Sequence, residues 1–169
     1  MTLSMKSMLS LGALALALLP AAGAASSKPE HDRMATKQTI TDIRNVGTAM
    51  YIWYKDQVKN PEKGGGPAPV QVSISAVPVI SREDLEKLLV PKYIANLPET
   101  DGWGNPYEFH LNVQQPNKQS VMGLRSAGRD GVFSGETYEI GGFPDTEADQ
   151  DIAWMDGFFV RWPEKPKAE

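Results

Sequence analysis

An α+β domain is what this sequence predicts: one long amphipathic helix, one short helix, then a small antiparallel sheet. Three observations carry that expectation. Between Met34 and Val58, apolar and small residues recur every three or four positions. From Tyr107 onward, short apolar–polar alternations replace that period. Glycine- and proline-rich punctuation from Lys59 to Pro69 separates the long helix from the rest of the chain.

The long helix is predicted over Met34 to Val58. Ile40, Ile43, Val46, Met50, Trp53 and Gln57 form one row, with Gly47 and Tyr54 beside it. All but Gln57 are apolar or small, and Lys37, Thr41, Asp42, Arg44, Asn45 and Lys55 lie mostly off the row. Gly47 costs a helix about 1 kcal/mol relative to Ala, so its expected use is close approach of a strand or loop. The Gly64-Gly65-Gly66 run is no phosphate loop, because no Lys-Ser/Thr follows it. Gln71 to Val79 reads as a short strand or extended segment. Ser81 then offers an N-cap with Asp84 at the third helical position. That helix should run to about Leu89, bury Leu85, Leu88 and Leu89, and stop at Pro91. Asn96 to Gly104 is turn-rich. Tyr107, Phe109, Leu111 and Val113 alternate with polar residues as a strand, Gln114 to Gln119 is a loop, and Ser120 to Arg125 is the return strand. Ile152–Trp154 and Phe158–Trp162 make a hairpin across Asp156-Gly157, a favoured turn pair.

The start of the chain reads as a targeting segment. Lys6 precedes an apolar run from Leu9 to Leu19, Pro20 ends it, and Ala22-Gly23-Ala24 fits a small-x-small cleavage pattern. The run holds about 11 residues, short of the roughly 20 a bilayer span requires. Residues 1–24 are therefore expected to be a cleaved signal peptide, leaving no stable membrane span, and Ala25 to Arg33 a flexible polar leader. Removing Lys6 with the signal shifts the formal charge from −4 to about −5. A mildly acidic surface disfavours nucleic acid as a partner. Without cysteine there is no disulfide bracing; any staple would be a metal.

The stretch Gly123 to Glu164 is the most informative. Its turn Ser126-Ala127-Gly128-Arg129-Asp130-Gly131 leads into a loop carrying Asp145, Glu147, Asp149 and Asp151. Crowded carboxylates repel, which is tolerable in water or around a hard cation. Ca²⁺ takes six to eight oxygen ligands from carboxylates, carbonyls and water. Gly131, Gly135, Gly141 and Gly142 permit the required bends. A solvated acidic loop and a cation-folded one both fit the composition. An EF-hand is excluded, because Gln150 and Asp156 stand where its Gly and Glu would be counted from Asp145. With no Cys and two His, zinc is disfavoured.

Three segments carry a family resemblance. Thr36 to Gln57 resembles the exposed half of the N-terminal helix of type IV pilin-like proteins. Leu85 to Tyr107, ending in Asp101-Gly102-Trp103-Gly104-Asn105-Pro106-Tyr107, resembles the short helix and D-x-W-G-x-P-Y turn of type II secretion major pseudopilins. Ser126 to Ile152 resembles their C-terminal calcium loop, an S-x-G-x-D-G turn followed by acids before an Ile. The prepilin-peptidase Gly-to-Glu pattern and the continuous transmembrane half-helix are missing, so filament assembly is not implied. The resemblance implies a pilin-like fold and Ca²⁺ held by Asp130, Asp149 and Asp151. Leu124 and Ser126 are the nearest backbone-oxygen candidates, and Asp145 either joins them or faces water.

Enzyme chemistry is disfavoured. His31 lies in the leader, and His110 is expected on a solvent-facing side of its strand, opposite to Phe109, with no triad partners in view. Trp103 is expected to anchor a tight turn in which Asp101 and Asn105 bond local backbone. Trp53 and Trp154 fit the core, while Phe158, Phe159 and Trp162 place aromatics on both faces of one strand, one face being a candidate protein interface. The expectation is an exported, periplasmic or secreted, non-enzymatic module stabilised by calcium. Its partners would be other proteins such as secretion or pilus components. A glycan-binding protein using Trp103 and the C-terminal aromatics is the alternative; a minor pseudopilin with a misassigned start is a third.

Overall fold

The computed structural model describes residues 28–58 and 69–164. The expected signal peptide, most of the glycine-rich connection and the final residues 165–169 lie outside the described residues. The fold is α+β. Helix α1 spans Lys28–Gln57 and helix α2 Arg82–Leu89. The strands are β1 (Gln71–Ser73), β2 (Val79–Ile80), β3 (Glu108–Leu111), β4 (Met122–Ser126), β5 (Thr137–Glu139), β6 (Gly141–Pro144), β7 (Ile152–Met155) and β8 (Phe158–Glu164).

Six strands form the main sheet in the order β2-β3-β4-β7-β8-β6. Neighbours are antiparallel except β6, which runs parallel to β8 at the edge. β1 and β5 pair separately as a two-stranded ribbon. Alternation along the strands splits the core in two. Phe109, Leu124, Ile152 and Trp154 face α1 and α2, packing on Ile43, Val46, Met50, Trp53, Leu85 and Leu89. Ala153, Met155 and Val160 face the other way, packing on Ile74, Val77 and Tyr138 under the ribbon. Each large side chain so buried contributes roughly 1.5–3 kcal/mol.

Gly47 is where the helix meets the sheet. A Cβ there would lie 2.8–3.0 Å from the Trp154 indole. The Ser81 cap forms as expected, its Oγ accepting from the Asp84 N–H at 3.1 Å. The β7–β8 turn also matches: Asp156 and Gly157 both take positive φ, 46° and 110°.

Three expectations are corrected. The helix already includes Lys28, the first described residue, so residues 28–33 of the expected flexible leader are helical. Composition reads them as leader; tertiary contacts order them. Asp32 accepts hydrogen bonds from the Trp103 indole and from Arg129, and Ala35 is buried just beyond. His110 is not on a solvent face but 1% exposed. It points opposite to Phe109 as expected, yet that face is packed: the segment between β1 and β2 crosses it, and the His110 Nδ1 lies 2.7 Å from Val77 O. Finally, the long acidic loop contains β5 and β6. Tyr138 and Phe143 draw those segments into the two cores. Among the described residues, no helix is long and apolar enough to cross a membrane.

Candidate functional site

Asp101 organises the turn after α2. Its Oδ1 accepts from the backbone N–H groups of Trp103 and Asn105 at 3.0 and 2.9 Å. Its Oδ2 accepts from the Ser126 hydroxyl at 2.6 Å, and Ser126 Oγ in turn accepts from the Gly128 N–H. Asn105 reaches further than its own turn: its Nδ2 donates to Gly128 O at 2.7 Å. On the other side, the Gly102 N–H donates to Thr39 Oγ1 on α1 at 3.0 Å. The buried Asp101 carboxylate thus ties the 101–105 turn to the 126–131 turn, and the Gly102 N–H ties the same turn to the helix.

The 126–131 turn then projects Arg129. Gly128 takes φ +68°, where a Cβ would strike the backbone of Ala148 and Gln150. Arg129 N–H donates to Ala148 O at 2.8 Å, setting its side chain beside Asp149. The guanidinium grips that carboxylate with two bonds of 2.7 Å and reaches Asp32 on α1 at 2.8 Å. Paired hydrogen bonds of this kind are directional as well as attractive. The Arg129 contact holds the Asp149 carboxyl below its ordinary range.

Asp151 sits on the ribbon side, 2% exposed. Its Oδ2 accepts from the Ser134 N–H and hydroxyl and from the Tyr138 hydroxyl at 2.7 Å. Its Oδ1 is buried without a hydrogen-bond partner. Tyr138 Oη also accepts from Arg125, whose guanidinium is paired with Glu108 and Glu136 and stacked over the Phe133 ring. His110 Nε2 meets Glu108 Oε1 at 2.8 Å, so both imidazole nitrogens face oxygens. Burial works against the Arg125 charge, but Tyr138 and Glu108 outweigh it and raise the group above its ordinary value. Burial likewise pushes Glu108 up, but His110 and Arg125 prevail and hold it below the usual carboxylate value. Burial raises the Tyr138 phenol, so it donates as a neutral hydroxyl. One guanidinium therefore serves Glu108, Glu136 and, through Tyr138, Asp151.

The six expected metal-site residues are distributed over these surroundings. Leu124 and Ser126 are buried on β4, Ser126 spending its hydroxyl on Asp101. Asp130 is exposed and accepts from the Val132 N–H of its own turn. Asp145 lines a cleft with Lys28, Asp32, Arg33 and Arg129. Asp149 is taken by Arg129, and Asp151 is held on one oxygen only. Among the described residues, no group of three or more His, Cys, Asp or Glu side chains converges as a metal site.

No family model, no curated protein and no solved structure matches the chain. The site thus rests on its own geometry. Residues that the sequence did not single out for it are Asp32, Arg125, Glu108 and Tyr138. Arg125 had one visible signal: it is a charged residue on a return strand whose neighbours are apolar or small. Trp103 serves as the expected turn anchor, with its indole N–H donating to Asp32 at 3.2 Å and its ring packed on the core.

Proposed function

We propose that this chain is an exported, non-enzymatic structural or interaction module. In this reading it resembles type II secretion pseudopilins in its pilin-like plan, and a calcium ion stabilises its C-terminal region. A long helix laid on one face of a largely antiparallel sheet supports the architectural part of the reading. The single observation that carries the calcium part is the buried Asp151 Oδ1 without a partner. A buried charge is ordinarily paired or metal-bound, and the surrounding network already asks one guanidinium to serve three carboxylates. The donors beside Asp151 are oxygens, its own free Oδ1 and the Ser134 and Tyr138 hydroxyls, with Asp130, the expected second carboxylate, bonded to the Val132 N–H of its own turn and free to be recruited only if that turn closes. That donor set fits a hard cation. Asp149 is not part of it, because Arg129 already neutralises it. A bound ion would supply positive charge to Asp151 and close the turn over the ribbon; Ser134 and Tyr138 orient the carboxylate for it.

Thermal unfolding with calcium and with chelator tests this. At ten times its Kd, a ligand of the folded state adds about 1.4 kcal/mol, a rise of about 3–6 °C for a domain of this size. Asp151→Asn should abolish the rise, and magnesium should not reproduce it. Identical melts with calcium and with chelator would sink the calcium assignment. A pull-down from envelope extract addresses the interaction role, with secretion components in the eluate as the expected outcome. Retention on immobilised polysaccharide would favour the glycan-binding alternative, which now rests on Tyr51 and Phe158 rather than on the packed Trp103.

A further inference from the structure

One flank of α1 is left unfilled. A cleft of about 470 Å³ runs beside Arg33, Lys37, Ile40, Asp145 and Pro163. A second, of about 490 Å³, lies beside Tyr51, Trp154, Phe158 and Phe159. Arg44 lines both, so the two form one groove between the helix and β8. From Arg33 to Tyr51 the groove follows about 27 Å of helix axis. Its helical wall repeats every three or four residues, the spacing of a single helix face.

The groove combines two kinds of group. Tyr51 and Phe158 are 43% and 44% exposed, and Ile40 and Phe159 are half-buried. Arg33, Lys37 and Arg44 are exposed, and none forms an ion pair among the described residues. Of the other described cations, Arg82, Lys87, Lys92, Arg125 and Arg129 are paired with carboxylates, whereas Lys28, Lys55, Lys118 and Arg161 form no ion pair among the described residues; what sets the groove apart is three such cations in a row beside apolar side chains. Among the described residues, only Asp145 and Glu164 bring negative charge to the groove, apart from Asp156, whose Oδ1 is committed to the Val121 and Met122 N–H groups. On a chain of net charge −4, a row of unpaired cations alternating with apolar side chains is a local inversion.

We infer that this groove docks an acidic, amphipathic segment of a partner protein. Carboxylates of that segment meet Arg33, Lys37 and Arg44, and its apolar side chains cover Ile40, Tyr51 and Phe158. An anionic glycan would answer the cations and leave the apolar wall wet. A lipid surface would meet the helix and β8 ridges rather than the recess between them. The inference deepens the interaction-module reading and rests on it, but it makes no use of the cation.

The test uses the full chain and a labelled helix-forming peptide of roughly 20 residues, with Glu and Leu sharing one face. Fluorescence anisotropy reads binding, with heparin and phosphatidylserine vesicles as competing probes. Peptide affinity should fall at least about tenfold in Arg33→Glu/Lys37→Glu/Arg44→Glu. It should fall several-fold in Tyr51→Ala/Phe158→Ala and stay unchanged in Lys87→Glu on α2. Circular dichroism checks the fold, and Lys37→Glu alone carries the charge test should the triple variant unfold. Absent peptide binding overturns the inference, as does equal binding by all variants or binding to heparin or vesicles alone. Repeating the isotherm with calcium and with chelator keeps the two proposals apart. A calcium-dependent melt without peptide binding rejects the groove, whereas peptide binding without that melt rejects the cation.

Discussion

Gly102→Ala should be among the most damaging single-methyl additions this protein can receive. An ideal Cβ at position 102 would sit 2.5 Å from Ala35 Cα and 2.6 Å from Ala35 C, both backbone atoms of α1. Ordinary carbon contacts are about 3.5–4.0 Å, so the turn must retreat from the helix by about 1 Å. Backbone cannot rotate aside as a flexible side chain does. Overpacking of this kind costs about 1–3 kcal/mol. The retreat also stretches the Gly102 N–H bond to Thr39, worth about 1 kcal/mol. The expected loss is therefore about 2–4 kcal/mol, a large part of the 5–15 kcal/mol typical of a domain. Urea denaturation followed by tryptophan fluorescence reads it as a lower midpoint at unchanged slope. Two glycines serve as controls. Gly104 has φ +93° and open space around it, so Ala there meets only backbone strain of about 1–2 kcal/mol. Gly135 has open space and no positive φ, so Ala should be neutral or stabilise by about 0.4–1 kcal/mol. If Gly102→Ala costs no more than Gly104→Ala, the close approach of turn and helix is refuted.

Asp156 caps the Val121 and Met122 N–H groups through Oδ1, and burial raises its carboxyl above the ordinary value. Its folded state thus favours the proton, a contribution complete below the unfolded pKa of about 3.9 and lost as pH rises through the folded value. Asp156→Asn should equal or exceed the parent at pH 7 and lose that advantage at acid pH, whereas Asp156→Ala should cost about 1–3 kcal/mol throughout. Asp149 behaves oppositely, because Arg129 depresses its carboxyl. The benefit of that pair is present above the unfolded carboxylate value and disappears as pH falls through the folded one. Stability curves of Asp149→Asn and parent should therefore converge in acid, with only a slight gap at neutral pH for so exposed a pair. His110→Phe leaves Glu108 and Val77 O without their imidazole bonds; chemical denaturation should show a loss of about 2–4 kcal/mol.

Elements announced by periodicity are legible in the sequence, and those set by distant partners are not. The Ser81 cap needs only Asp84 three residues on, and the Asp156-Gly157 turn needs only its own backbone. Both appear as the sequence predicts. Gln71 to Val79 reads as a short strand or extended segment and does supply β1, but its pairing of Val72 with Tyr138 spans about half of the described chain, and the three residues of β5 leave too little alternation to read. The surroundings of His110 are hidden for that same reason: strand alternation says which side a residue faces, not what covers that side. The expected leader fails similarly, since Lys28 to Arg33 has no apolar period of its own and is ordered through Asp32 by Trp103 and Arg129. At the candidate site, the acidic residues are visible in the sequence, but the cation beside Asp149 is not. Arg129 is a short step from Asp130 in sequence, and only the folded turn shows that it faces Asp149 instead.

The β1–β5 ribbon has a consequence for how this domain breathes. It is a cover of three residue pairs whose Tyr138 hydroxyl holds Arg125 and Asp151, buried groups that water would eagerly solvate. Lifting it breaks few backbone bonds and lets water reach both charges, so the ribbon should open before the rest of the domain. Amide exchange at Val72 and Tyr138 should accordingly outpace that at Leu124 and Trp154, and the packed layers of helix and sheet beneath should stay closed while the ribbon is open.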